Sequence, residues 1–180
     1  VFFISIGLFG HLKSGDIGRL NDEQMKFLSH FENELPSWNY FTKNGISEKY
    51  RDDCNFYDIP MYRSGRATNV PRTSISVNCF TSNKVNGKQV FIWGDSHAQQ
   101  LNYGLSKAFG DEVDVLQVAS SGCSAMLGAT QRKDDLCEYS NWFAFNAIKR
   151  LKPKFVIVGQ NLGHNSKAME EISSALLGVG

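Results

Sequence analysis

The sequence predicts an α/β domain, a parallel sheet covered by helices, behind a loop-rich N-terminal extension. Three observations carry this reading. Three short apolar runs of strand length lie in the second half, and each is followed by a helical pattern. The composition, 42% hydrophobic and 12% aromatic over 180 residues, suits a chain that buries one core of ordinary size. The order reads strand, helix, strand, loop, helix, strand, helix, which calls for parallel crossovers rather than hairpins.

The elements follow in order. The apolar run Val1 to Gly10 is half the roughly 20 residues of a membrane span and lacks the basic start and cleavage site of a signal peptide. Residues 1–12 therefore read either as a core element or as the end of a membrane helix. Asn21 to Leu35 forms a helix with Leu28, Phe31 and Leu35 on one face, Asn21 or Asp22 as its cap and Pro36 as its stop. Ser37 to Ser82 is irregular, and a loop of that length needs a surface to pack on or a covalent staple.

From residue 90 the pattern becomes regular. Val90 to Trp93 is the first strand, after the turn signal Asn86-Gly87. Ser96 to Phe109 is expected as one helix with Leu101, Leu105 and Phe109 a turn apart. Val113 to Val118 is the second strand and Asn141 to Leu151 the next helix. Phe155 to Val158, after Pro153, is the third strand, and Ser166 to Leu177 the last helix. By texture the chain thus divides into residues 13–89, irregular apart from one helix, and residues 90–180, the regular α/β domain. No repeat or low-complexity tract interrupts it. The charge is nearly balanced, 19 basic against 18 acidic residues, which argues against a nucleic-acid partner.

In open parallel sheets the ligand lies beyond the carboxyl ends of the strands. After the first strand comes Gly94-Asp95-Ser96-His97-Ala98. This places Ser96 at a helix N-terminus, where unpaired amides and the helix dipole favour developing negative charge, as a nucleophile requires. The plain alternative makes Asp95 or Ser96 an ordinary helix cap. Ala119-Ser120-Ser121-Gly122-Cys123 follows the second strand, and Gly159-Gln160-Asn161-Leu162-Gly163-His164 the third. Ser96, the Gly122 amide and the Asn161 carboxamide are therefore expected to converge. Taken singly, Gly122 reads as a turn glycine and Asn161 as a loop cap.

Of the four histidines, His97 adjoins Ser96, but neighbouring helix residues point in different directions. His164 sits on the loop after the third strand, and His11 and His30 read as solvated linker positions. Cys54, Cys79, Cys123 and Cys137 contain no Cys-x-x-Cys pair, so a zinc site is poorly supported and no metal or cofactor is expected. Four cysteines allow three pairings. The local one, Cys54 with Cys79 and Cys123 with Cys137, would staple the irregular segment and the loop after the second strand; four reduced thiols are the alternative. Disulfides would imply an oxidising compartment.

Gly94-Asp95-Ser96, Gly122 and Gly159-Gln160-Asn161 resemble the first three sequence blocks of the SGNH (GDSL-like) hydrolases, with Leu162 where the third block usually has Asp. Tyr50-Arg51-Asp52-Asp53-Cys54, Cys79, Val90 to Ala98, Ser121-Gly122-Cys123 and Cys137 more closely resemble the periplasmic SGNH domain of the membrane acyltransferase-three family. That resemblance implies a flavodoxin-like three-layer α/β/α fold and O-acetylation of bacterial surface polysaccharides such as lipopolysaccharide O-antigen. Its partners would be an acetyl donor, a polysaccharide acceptor and an N-terminal membrane acyltransferase domain in the same chain, with residues 1–12 as the end of a membrane helix, 13–89 as periplasmic linker and extension, and 90–180 as an SGNH domain incomplete at its C-terminus. Ser96 would be the nucleophile, Gly122 and Asn161 would form the oxyanion hole, and Asp95 and His97 would support them. The family's Asp-x-x-His motif does not follow Asn161, so the catalytic Asp and His are expected after Gly180, and residues 1–180 alone are expected to be inactive. Two other readings stay open. One is a carbohydrate O-acetyl esterase using the same serine. The other is a non-catalytic polysaccharide-binding module stacking sugars on Trp38, Tyr40, Trp93 and Trp142.

Overall fold

The computed structural model describes residues 20–33, 42–46, 49–66, 69–82, 88–161 and 165–179. Residues 1–12, His11, Trp38, Tyr40, Leu162 and His164 lie outside them, as does the His30 side chain. The chain divides into two units, Val1–Ser47 and Glu48–Gly180. In the first, helix α1 spans Asp22–Asn33. Its start is a reciprocal cap: the Gln24 amide donates to Asn21 Oδ1 at 2.9 Å, and the Asn21 amide to Gln24 Oε1 at 3.0 Å. Among the described residues no helix is long and apolar enough to cross a membrane.

The second unit is built on three parallel strands, β1 (Gln89–Gly94), β2 (Asp114–Ala119) and β3 (Phe155–Gly159), in the order β2-β1-β3. The central strand β1 is buried along its whole length, which is why its sequence is an unbroken apolar run rather than an alternation. Side chains nevertheless alternate between two faces. Phe91, Trp93, Leu116 and Val118 enter the main core, with Val156 and Val158 packed against it. Ile92 and Ala119 point to the opposite face, where they meet Ala98 with Leu105 and Val115 alongside.

After α1 come α2 (Ile59–Arg63), α3 (Ser96–Gln99), α4 (Leu101–Phe109), α5 (Leu136–Leu151) and α6 (Ser166–Leu177). Helices α3 and α4 cover one face of the sheet; α5, α6 and the segment 49–82 cover the other. The result is the three-layer α/β/α fold, of flavodoxin-like strand order.

The structure departs from the expected elements in three places. The helix expected over Ser96 to Phe109 is two helices joined at Gln100, and Leu101 and Phe109 are exposed, leaving Leu105 as the apolar contact. Helix α5 starts five residues earlier than expected, because Asp135 caps it through the Cys137 and Glu138 amides, both at 3.0 Å. Trp93 is a core residue rather than a stacking face, and Trp142 is partly buried. Trp93 is 1% exposed and donates its indole N–H to Asn141 Oδ1 at 2.8 Å, while Trp142 packs against the main core.

The irregular segment 49–82 is folded against the sheet. Phe56 sits edge-on to Tyr139 and Phe143 of α5, each with ring centroids 5.1 Å away, and Phe80 meets Phe143 at 4.9 Å. Burying a phenylalanine this fully contributes about 2–3 kcal/mol. The cysteines adopt the local pairing, Cys54 with Cys79 and Cys123 with Cys137, across 25 and 14 residues of chain. Arg51 clamps Asp53 beside the first bridge at 2.8 Å, and this hydrogen-bonded charge pair holds the Asp53 carboxyl below its ordinary value. Replacing both Cys54 and Cys79 by Ser is expected to lower the unfolding free energy by about 3 kcal/mol, measured by urea denaturation of the oxidised protein.

Candidate active site

Strand register decides where the loops meet. Gly94 pairs with Ala119 on one side and with Gly159 on the other, so all three strands end level. The turns that follow, carrying Asp95-Ser96, Ser120-Ser121-Gly122 and Gln160-Asn161, emerge together along one edge of the sheet.

Close backbone approach sets the first turn. Gly94 has φ +144°, and a Cβ on it would fall 1.8 Å from the Gly159 carbonyl oxygen. A Cβ on Gly159 would meet the Ala98 Cα and Cβ at 3.1 Å. The two glycines and one alanine thus let β1, β3 and α3 touch. The Gly159 carbonyl accepts from the Asp95 amide at 3.2 Å, closing the turn.

Asp95 is 4% exposed and bridges two of the three loops. Its Oδ1 accepts from the His97 amide at 2.8 Å, capping α3, and its Oδ2 accepts from the Asn161 amide at 2.7 Å. Because the cap engages the amide of His97, it is not spent on that of Ser96. Ser96 is partly exposed at the first position of α3, and Asn161 is exposed in the third loop. His97 is about half exposed, with Nδ1 3.5 Å from Asp95 Oδ1.

The second loop is held from behind. The Ser120 amide donates to the Gly94 carbonyl at 2.9 Å, and its hydroxyl shares a 2.6 Å hydrogen bond with Ser140 of α5. Gly122 lies at φ +80° in open space and is exposed, so its conformation, not its surroundings, calls for glycine. Cys123, next to it, is bonded to Cys137 at the start of α5. Gln160 closes the third loop onto this one by accepting from the Ala125 amide at 3.2 Å.

Three contributors to this architecture have no site role in the sequence pattern. Tyr50 donates its phenol to the Ser96 carbonyl at 2.8 Å. Asn55, fully buried, binds Ser121 through both ends of its carboxamide. Asn141 accepts from Trp93 and the Met126 amide and donates to the Ser124 carbonyl, tying β1 and the second loop to α5. All three act over long sequence separations, for which no periodic signal exists. A cavity of about 390 Å³ near Arg51, Asn78, Ser82 and Asp114 opens at the amino end of β2, away from this edge. Asp53 clusters with Cys54 and Cys79, but the two sulfurs are joined to each other, which removes them as thiolate ligands.

Residues 64–175 match the family model described as SGNH domain (fused to AT3 domains). The chain belongs to that family. The solved periplasmic domain of the lipopolysaccharide acetyltransferase of Salmonella ser. Paratyphi A has the same fold, with a TM-score of 0.50 at 20% sequence identity. The alignment covers 77% of this chain and 53% of that one, so the chain spans about half the length of its structural neighbour. No curated protein matches the sequence. Ser96, Gly122 and Asn161 fall inside the part matched to the SGNH family, whereas Tyr50, Cys54 and Asn55 precede it.

The glycine contacts make a sharp contrast testable. Gly94→Ala is expected to cost about 3 kcal/mol because the added methyl collides with backbone. Gly122→Ala should cost only about 1–2 kcal/mol, the ordinary penalty of a left-handed residue. Chemical denaturation of the two variants side by side measures the difference.

Proposed function

We propose that this chain is the periplasmic domain of an inner-membrane O-acetyltransferase that passes an acetyl group through Ser96 onto a hydroxyl of a bacterial surface polysaccharide such as lipopolysaccharide O-antigen. Membership in a family of SGNH domains fused to AT3 domains supports the membrane partner in the same chain, and the lipopolysaccharide acetyltransferase neighbour supports the substrate class. The observation that carries the serine mechanism is the level ending of the three strands. The turns that carry Ser96, Gly122 and Asn161 leave from those level strand ends, and Asp95 joins the first turn to the third, which supports this reading.

In this reading Ser96 Oγ attacks the carbonyl carbon of the acetyl donor. An O–C bond forms, and the carbonyl π pair moves onto oxygen. The Ser96 amide, the Gly122 amide and the Asn161 carboxamide N–H receive that oxyanion, each such donor contributing about 10²–10³ in rate. Collapse expels the donor's leaving group with a proton and leaves acetyl-Ser96. A sugar hydroxyl then attacks the acetyl carbon and gives up its proton, and the serine oxygen regains one on release. The proton taken from Ser96 goes to a general base, a role not assigned to His97. The His97 ring nitrogen is turned toward Asp95, and the residue stands one position along the helix from the nucleophile.

Asp95 supports this chemistry from beneath. Its carboxylate fixes the angle between the nucleophile's turn and the Asn161 loop, which keeps the oxyanion donors in place before the substrate arrives. The test is Ser96→Ala in the native gene context, with O-acetyl groups on the surface polysaccharide quantified by NMR. Acetylation should fall to the level of a gene deletion; undiminished acetylation would overturn the proposal.

A further inference from the structure

We infer that Tyr50 is a positioning residue for the Ser96 nucleophile, and that the segment around it, upstream of the matched SGNH residues, belongs functionally to the active site. This inference rests on the serine reading above.

The need for such a residue follows from the helix that presents Ser96. Helix α3 spans only Ser96–Gln99, a single turn. One turn has almost no stability of its own, and its terminal carbonyls lack the partners a longer helix supplies. The amino side of this turn is fixed by the Asp95 cap and by the Asp95 amide on the Gly159 carbonyl. The Ser96 carbonyl is fixed by the Tyr50 phenol, 46 residues earlier in the chain. Rotation of the Ser96 peptide would move its hydroxyl, and this hydrogen bond opposes that rotation.

The phenol is suited to that task. It is half buried. Burial raises its pKa first, Asp52 raises it further, a hydrogen bond with the Ser96 side chain pulls it back, and Asp95 adds a smaller upward push. The net upward shift keeps it protonated, and so a donor, throughout the neutral range.

Its own anchorage is strong. Arg51, next to it, pairs with Asp53, and Cys54 is locked to Cys79. Asn55 then does for the second loop what Tyr50 does for the first. Its Nδ2 donates to Ser121 Oγ at 3.0 Å, and its Oδ1 accepts from the Ser121 amide at 3.3 Å, one residue before Gly122. The Phe56 amide donates to Ser120 Oγ at 3.2 Å, and the Phe56 ring is buried. Seven consecutive residues, 50–56, thereby reach two of the three loops of the site.

The experiment compares Tyr50→Phe, Ser96→Ala and the unaltered protein, each expressed with its full flanking sequence. Acetyl transfer is measured against donor concentration, and thermal unfolding is followed alongside. Tyr50→Phe keeps the ring and its packing and removes the hydroxyl, with both its hydrogen bond to the Ser96 carbonyl and its contact with the Ser96 side chain. It is expected to lower kcat about tenfold, since one lost hydrogen bond in the transition state is worth about one decade. KM for the donor should stay unchanged, and so should the melting temperature. A kcat equal to that of the unaltered protein overturns the positioning role, and so does a loss of activity that only tracks loss of folded protein. The second reference separates the two levels of the argument. If Ser96→Ala abolishes transfer while Tyr50→Phe is fully active, only the positioning role fails; if Ser96→Ala is fully active, the serine reading falls as well.

Discussion

The closeness of two peptide backbones at the sheet's carboxyl edge governs most of what surrounds the candidate site. Gly94 and Gly159 pair across β1 and β3: a Cβ on Gly94 would strike the Gly159 carbonyl, and a Cβ on Gly159 would press on Ala98 at 3.1 Å. This contact lets α3 begin immediately after β1, so that Ser96 rises at the strand end rather than over the helical face. It also presents the Gly159 carbonyl to the Asp95 amide, and from there the Asp95 carboxylate reaches the Asn161 amide. One steric constraint is thereby converted into a hydrogen-bonded link between two loops that are 66 residues apart in sequence.

The second loop obeys a different logic. Gly122 is in open space, and its place is fixed at the residues around it: Ser120 by β1 and α5, Ser121 by Asn55, and Cys123 by its bridge to Cys137. Apart from the Gly94 carbonyl of β1, each fixing group comes from the face of the sheet where the segment 49–82 packs. A small α/β core of three strands is thus extended by aromatic and disulfide contacts from a chain segment with little regular structure of its own. That arrangement agrees with the oxidising compartment in which disulfides persist.

How much of this was readable in the sequence depended on the range of the interaction. The three strands, helix α6 and the Gly94-Asp95-Ser96 turn are local patterns, and they appear where the residues place them. The break at Gln100 was invisible because the apolar spacing of Leu101, Leu105 and Phe109 continues through it, although two of those three side chains face solvent. Aromatic residues offered as sugar-stacking faces carry no label for burial: Trp93 lies in the core because its strand is central and Asn141 satisfies its indole. The cysteine count left three pairings open, and only the fold brings the partners together. Tyr50 and Asn55 were the hardest to see. A hydrogen bond from an irregular segment to a loop tens of residues away leaves no periodicity, and the nearest signal was their place beside Arg51, Asp53 and Cys54.

The central claim is that Ser96 carries the acetyl group between donor and sugar. The most direct measurement is peptide mass spectrometry of the protein with its full flanking sequence, supplied with an acetyl donor, deprived of acceptor and quenched in acid. The account predicts the mass of one acetyl group on the peptide containing Ser96, removed when polysaccharide acceptor is added before the quench. An active protein whose Ser96 peptide remains unmodified, with transfer to the sugar proceeding normally, would contradict it.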